Sequence, residues 1–102
     1  MISDKMAKAL NGQINLEMYA SYHYLSMSAY FLAQNLTGFA NWMRVQAQEE
    51  TLHAMKIFDF IDNCDGEIEL QTIKAPPQTM GWPPGSLRRR AGTRTKRLGA
   101  HS

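Results

Sequence analysis

From about Asp4 to Gln34, apolar and polar residues recur at steps of three and four, with no proline and a single glycine, Gly12. That period belongs to an amphipathic helix. Ser3 precedes it where an N-cap belongs, its hydroxyl oxygen placed to accept from a free backbone N–H. Turn-prone Asn35-Leu36-Thr37-Gly38 interrupts the period, which restarts at Phe39 and runs without proline to about Asn63, where Asp65-Gly66 closes it. So short a connection predicts two antiparallel helices lying side by side, an αα-hairpin, and an all-α fold class.

In the first predicted helix the steps trace a stripe of Met6, Leu10, Gln13, Glu17, Ala20, Tyr24, Met27 and Phe31 that is expected to face the partner helix. The second helix offers Phe39, Trp42, Met43, Gln46, Glu49, Glu50, His53, Ile57, Phe60 and Ile61. Both stripes are apolar at their ends and polar in their middles. Leu16, Met18, Tyr22, Leu25 and Leu32 fall outside the first stripe, so that helix needs a second covering partner. The methionines and aromatic residues sit at helical spacing and read as ordinary packing, and no solenoid-type repeat is present.

Composition narrows the class. A chain of 102 residues, 44% hydrophobic and 20% charged, makes at most one soluble globular domain. It has no apolar run of the roughly 18 residues that a membrane span requires. Met1-Ile2-Ser3-Asp4-Lys5 does not resemble a secretory leader, and the cytoplasm is the expected location. Cys64 is the single cysteine and is expected as an unpaired thiol. The net charge of +2 conceals a division: residues 1–69 hold four Lys/Arg against nine Asp/Glu, and residues 70–102 hold seven Lys/Arg against none.

A carboxylate on a core-facing stripe is costly unless a cation compensates it. Arg44 and Lys56, the basic residues of the second helix, both fall away from the stripe, so a bound cation is the simplest compensation. Glu50 and His53 form Glu-x-x-His, whose i, i+3 spacing puts a carboxylate oxygen and an imidazole nitrogen on one helix face. Alone, that motif is common and more often an exposed ion pair. Glu17, midway along the facing stripe, turns the reading toward a metal. Tyr24 follows Glu17 by two turns, within about twenty degrees on the same face, so its phenol is a candidate neighbour of the site, though a packed core tyrosine fits as well. Glu49 sits at the stripe's edge, a solvated carboxylate by default and otherwise a ligand for a third, looser metal. His23, off the stripe, and His101, in the tail, are expected at the surface.

Asn15-Leu16-Glu17-Met18-Tyr19, then Ala29-Tyr30, then Gly38 through Glu50 (Gly-Phe-Ala-Asn-Trp-Met-Arg-Val-Gln-Ala-Gln-Glu-Glu) and His53 resemble a bacterial non-haem ferritin subunit over residues 1 to about 79. The resemblance implies a four-helix bundle of the ferritin-like di-iron carboxylate family, assembled into a hollow 24-subunit shell. It implies oxidation of Fe(II) to Fe(III) with dioxygen or peroxide at a di-iron centre, and storage of the ferric mineral. By position, Glu17, Glu50 and His53 match family ligands of the first iron, with Glu50 also a candidate bridge to the second. Tyr24 matches the tyrosine beside the centre, and Glu49 matches a third-site carboxylate. A rubrerythrin-like protein would need a second Glu-x-x-His, which this chain lacks.

The chain also departs from the family. Four helices of about 25 residues need roughly 100 helical positions, whereas two helices use about half of them. Where a third helix and its Glu are expected, residues 80–102 form a Pro/Gly/Arg-rich basic tail, expected to be irregular, with Arg94 at the ligand's place. With suitable synonymous codons, the bases encoding Gly85 to Ser102 read one frame over as Glu-Val-Phe-Glu-Asp-Ala-Gln-Ala-His-Glu-Gln-Asn-Val-Ser-Gly-Leu-Ile, a ferritin-like third helix. Its Glu after His straddles the codons of Arg94 and Thr95. A frame-shifted tail accounts for the abrupt change of composition better than nucleic-acid binding by the six Lys/Arg between Arg88 and Arg97. Against a truncated ferroxidase stands a non-catalytic hairpin acting only through association with itself or with intact ferritin subunits.

Overall fold

The computed structural model describes residues 2–77. The expected tail at residues 80–102, its reading frame and His101 lie outside them. Two helices form: α1, Asp4–Ala33, and α2, Thr37–Asn63, packed as an antiparallel hairpin. Ser3 caps α1 as expected, its Oγ accepting from the Met6 N–H at 3.1 Å.

Both helices stop in the same way. Asn35 adopts φ 61° and Asp65 φ 58°, left-handed conformations that Asn and Asp tolerate better than other non-glycine residues. In each case the next N–H reaches back to the last turn, Leu36 to the Phe31 carbonyl and Gly66 to the Ile61 carbonyl, both at 2.8 Å. These are Schellman closures. Gly66 serves a different need: a Cβ there would lie 2.9 Å from Ile61 Cγ2 and 3.0 Å from Ile2 Cδ1. The first closure leaves only Gln34–Leu36 between the helices, so α2 begins two residues before the expected Phe39.

The seam between the helices differs from the predicted stripes. The buried positions on the α2-facing side of α1 are Ala7, Asn11, Ile14, Ser21 and Ser28, and those of α2 are Ala40, Ala47, Ala54 and Ile61. Apart from Asn11 these recur every seventh residue on both helices, as an antiparallel coiled-coil seam does. Most are small, and small side chains let the backbones approach. Ser28 Oγ donates to the Ala40 carbonyl at 2.7 Å and Ser21 Oγ to the Ala47 carbonyl at 2.8 Å, bonds that cross directly between helices. Ile14, Ala54 and Ile61 close the other end, with Leu10, Met18, Ile57, Phe58 and Ile68 packed against them.

The stripe expected to face the partner therefore lies roughly 60° away from the seam at 100° per residue. Met6 is 50% exposed, Phe39 56%, Trp42 57% and Phe60 51%; of the predicted set only Ile61 is fully buried. The physical reason is the choice between large and small side chains at one contact: Ala and Ser permit a close, hydrogen-bonded approach that the bulky stripe would prevent. His23 also departs from expectation. It is half-buried, with Nδ1 enclosed and without a hydrogen-bond partner, its ring 6.1 Å from that of Tyr19.

After α2 the chain turns back along α1, on the side away from Glu17. Asn11 Nδ2 donates to the Glu67 carbonyl at 2.8 Å and its Oδ1 accepts from the Glu69 N–H at 2.8 Å. Asn15 Nδ2 reaches the Thr72 carbonyl at 3.0 Å, and Ser26 Oγ the Pro77 carbonyl at 3.1 Å. Residues 67–77 thus form an irregular strap running parallel to α1, tied by side chains standing in for a neighbouring strand. Cys64, at the end of α2, is a half-buried free thiol.

Candidate metal centre

Glu17 stands mid-way along α1 and Glu50 mid-way along α2, on the side of the hairpin away from the strap. The antiparallel register brings them together, and the i, i+3 spacing adds His53. One donor atom from each of Glu17, Glu50 and His53 lies within 4.8 Å of the others. His53 Nδ1 is 3.3 Å from Glu50 Oε1 and 3.8 Å from Glu17 Oε1. The side chains of Glu17 and Glu50 are 21% and 22% exposed, and that of His53 is 52% exposed, so the cluster opens to the surface through the imidazole.

The electrostatics mark a place short of positive charge. Loss of hydration raises the Glu17 pKa above the usual carboxylate range, and the Glu50 carboxylate beside it raises it further by hydrogen bonding and by its charge. His53 and Gln13, one turn before Glu17, pull it down. Among the described residues no lysine or arginine forms an ion pair with either carboxylate. Two carboxylates and an imidazole, adjacent and without a fixed cation, are a donor set suited to a hard or borderline metal such as iron. The residues present fit that role.

Of the residues singled out in the sequence, Glu17, Glu50 and His53 converge. Glu49, next to Glu50 on α2, is exposed and stands outside the group. Tyr24 is half-buried on α1, two turns beyond Glu17. Gln13 was read only as part of a stripe; its position four residues before Glu17, on the same helix face, is the signal that it adjoins the carboxylate.

A helical hairpin that brings one Glu and one Glu-x-x-His together at mid-length defines a ferritin-like architecture. The chain belongs to the ferritin-like domain family, whose model matches residues 7–89. It is 43% identical over 83 residues to a bacterial non-heme ferritin of Bacteroides fragilis, covering 81% of this chain and 52% of that protein. A bacterial non-heme ferritin of Campylobacter jejuni is 41% identical over 78 residues, covering 76% and 47%. Among solved structures, an open-pore ferritin from the hyperthermophilic archaeon Archaeoglobus fulgidus matches with a TM-score of 0.78 and 45% identity, over 98% of this chain and 64% of that one. A humanized archaeal ferritin matches with a TM-score of 0.77 and 47% identity, over 96% and 60%. The chain spans about half the length of the curated relatives it matches.

Proposed function

We propose that this chain binds Fe(II) through Glu17, Glu50 and His53, as part of a ferritin that oxidises iron and stores it. The observation that carries the reading is the convergence of these three donors within 4.8 Å on a ferritin-family hairpin. Iron is here the substrate. Anionic oxygens favour Fe(III) over Fe(II), so a site rich in carboxylates lowers the cost of losing an electron, while the exposed side of His53 leaves access for dioxygen or peroxide. Glu50, grouped with both Glu17 and His53, takes the role of a bridge to a second iron. Glu49 takes the role of an outer carboxylate for a third ion, and Tyr24 that of a redox-active or hydrogen-bonding neighbour.

In the whole protein the same reading entails a homo-oligomeric shell of 24 subunits in the cytoplasm. Among the described residues no helix is long and apolar enough to cross a membrane. The exposed Phe39, Trp42 and Phe60 favour one second reading, a hairpin that acts only by associating with itself or with intact ferritin subunits.

The test is aerobic Fe(II) oxidation by the purified chain, followed by ferric absorbance near neutral pH, beside the Glu50→Ala and His53→Ala variants. Oxidation above the buffer rate that both substitutions abolish supports a ferroxidase. Oxidation no faster than in buffer assigns the chain to the non-catalytic reading.

A further inference from the structure

We propose that two copies of this chain pair face to face about a two-fold axis, so that both sets of Glu17, Glu50 and His53 line one shared, dinuclear metal site. The proposal rests on the metal reading above and adds to it a source for the further ligands that a dinuclear site needs. A carboxylate-bridged pair of metals in a four-helix bundle uses a Glu from each of two helices and a Glu-x-x-His from each of the other two. One copy of the hairpin supplies one of each, and a second copy supplies the remainder.

The placement of the cluster makes the pairing geometrically direct. Glu50 is the midpoint of Thr37–Asn63, and Glu17 lies next to the midpoint of Asp4–Ala33. A two-fold axis through the middle of a face superposes the middle of one copy on the middle of the other, so the two clusters meet in any such pairing. A cluster near either end would be carried away from its counterpart.

The face is large and apolar enough. Helices of 30 and 27 residues extend about 40 Å at 1.5 Å per residue. Two helices side by side present a surface about 20 Å wide. The product, about 800 Å² per copy, is the size of a standard stable interface. Met6, Phe39, Trp42 and Phe60 stand 50–57% exposed on this side, on either side of the polar middle. The opposite side is partly covered, by the strap tied to α1 through Asn11, Asn15 and Ser26.

Charge decides when the pairing occurs. Bringing two such clusters together places four glutamates in one cavity with no lysine or arginine among the described residues paired to them, which repels the copies until cations enter. The apolar surround and the metal act in concert, and metal binding drives dimer formation by mass action.

Sedimentation equilibrium of the full 102-residue chain tests this, with chelator, with Fe(II) under anaerobic conditions and with Zn(II) as a redox-inert probe; equilibrium dialysis measures bound metal and far-UV circular dichroism verifies the helices of each variant. The expected result is an 11.6 kDa species in chelator that doubles in mass with either metal, at one ion per chain. His53→Ala stays monomeric in metal. Phe60→Glu, which removes no ligand, also stays monomeric and loses at least tenfold in metal affinity. Metal uptake with no change in mass overturns the shared site, leaves the metal reading standing and gives the face to a different partner. A dimer equally populated in metal and in chelator also overturns it. No uptake by the folded chain overturns the proposal and the metal reading together.

Discussion

The two sides of the helix pair are built on opposite rules. The seam joining α1 to α2 is made of Ala7, Ile14, Ser21, Ser28, Ala40, Ala47, Ala54 and Ile61, all buried, and two serines bond directly to the opposing backbone. The face carrying Glu17, Glu50 and His53 holds the larger residues, and Phe39, Trp42 and Phe60 on it are more than half exposed. Small side chains hold the hairpin together, while the bulk of the apolar surface is turned outward, around a charged middle. The difference teaches that stability and function are separable here. Changes at the seam should act on folding, and changes at the cluster on metal.

The seam should break most readily. Ala54 is fully buried, so Ala54→Leu forces the helices apart, at a cost of about 1–3 kcal/mol from overpacking with further loss as the serine bonds lengthen. Thermal unfolding followed by circular dichroism measures it, and a variant as stable as the parent would contradict the close seam. Asn11→Leu comes next: it removes the bonds to Glu67 and Glu69 that start the strap, leaving part-buried backbone groups without these partners, about 1–2 kcal/mol, and hydrogen exchange should quicken over residues 67–77. Ser21→Ala removes the cross-helix bonds to the Ala47 carbonyl and to Thr51 Oγ1, about 1 kcal/mol in the same thermal unfolding measurement.

The metal side sharpens the comparison with smaller effects on folding. The raised pKa of Glu17 means that the folded chain holds its proton more tightly than the unfolded chain does. Between the ordinary carboxylate pKa and the raised one, the folded state binds more protons, so stability falls as pH rises through that window and recovers as pH is lowered. Glu17→Gln should flatten this dependence in metal-free protein and leave Tm higher near neutral pH, while reducing Fe(II) affinity; an unchanged pH profile would show that the two carboxylates do not oppose each other. The substitution Glu49→Gln should have the smallest effect, with little change in Tm and at most a modest loss of iron uptake, measured by dialysis.

How much of this was legible in the sequence follows from which signal each feature leaves. The two helices are plain from the period, from Ser3 and from the turn residues after each. The cluster is plain as well, because a Glu-x-x-His and a Glu at the middles of two antiparallel helices must meet whichever way the helices are rotated by a few tens of degrees. The rotation itself was misjudged. Counting large apolar residues put Met6, Phe39 and Trp42 toward the partner, whereas a seven-residue repeat of Ala and Ser marks the real contact. That repeat is visible in the sequence but carries little hydrophobicity, so an apolar stripe outweighs it. The strap was missed for a related reason. Residues 67–77 have no period, and the bonds that order them come from Asn11, Asn15 and Ser26, more than fifty positions away in sequence.

The most direct measurement of the central claim is anaerobic Fe(II) binding by the full chain at near-neutral pH, set beside Glu50→Ala and His53→Ala with circular dichroism on all three. The account predicts saturable binding by the parent, a loss of at least tenfold in affinity in each variant, and helical signals that remain alike. Equal Fe(II) binding by all three folded proteins would contradict it and place the iron elsewhere than Glu17, Glu50 and His53.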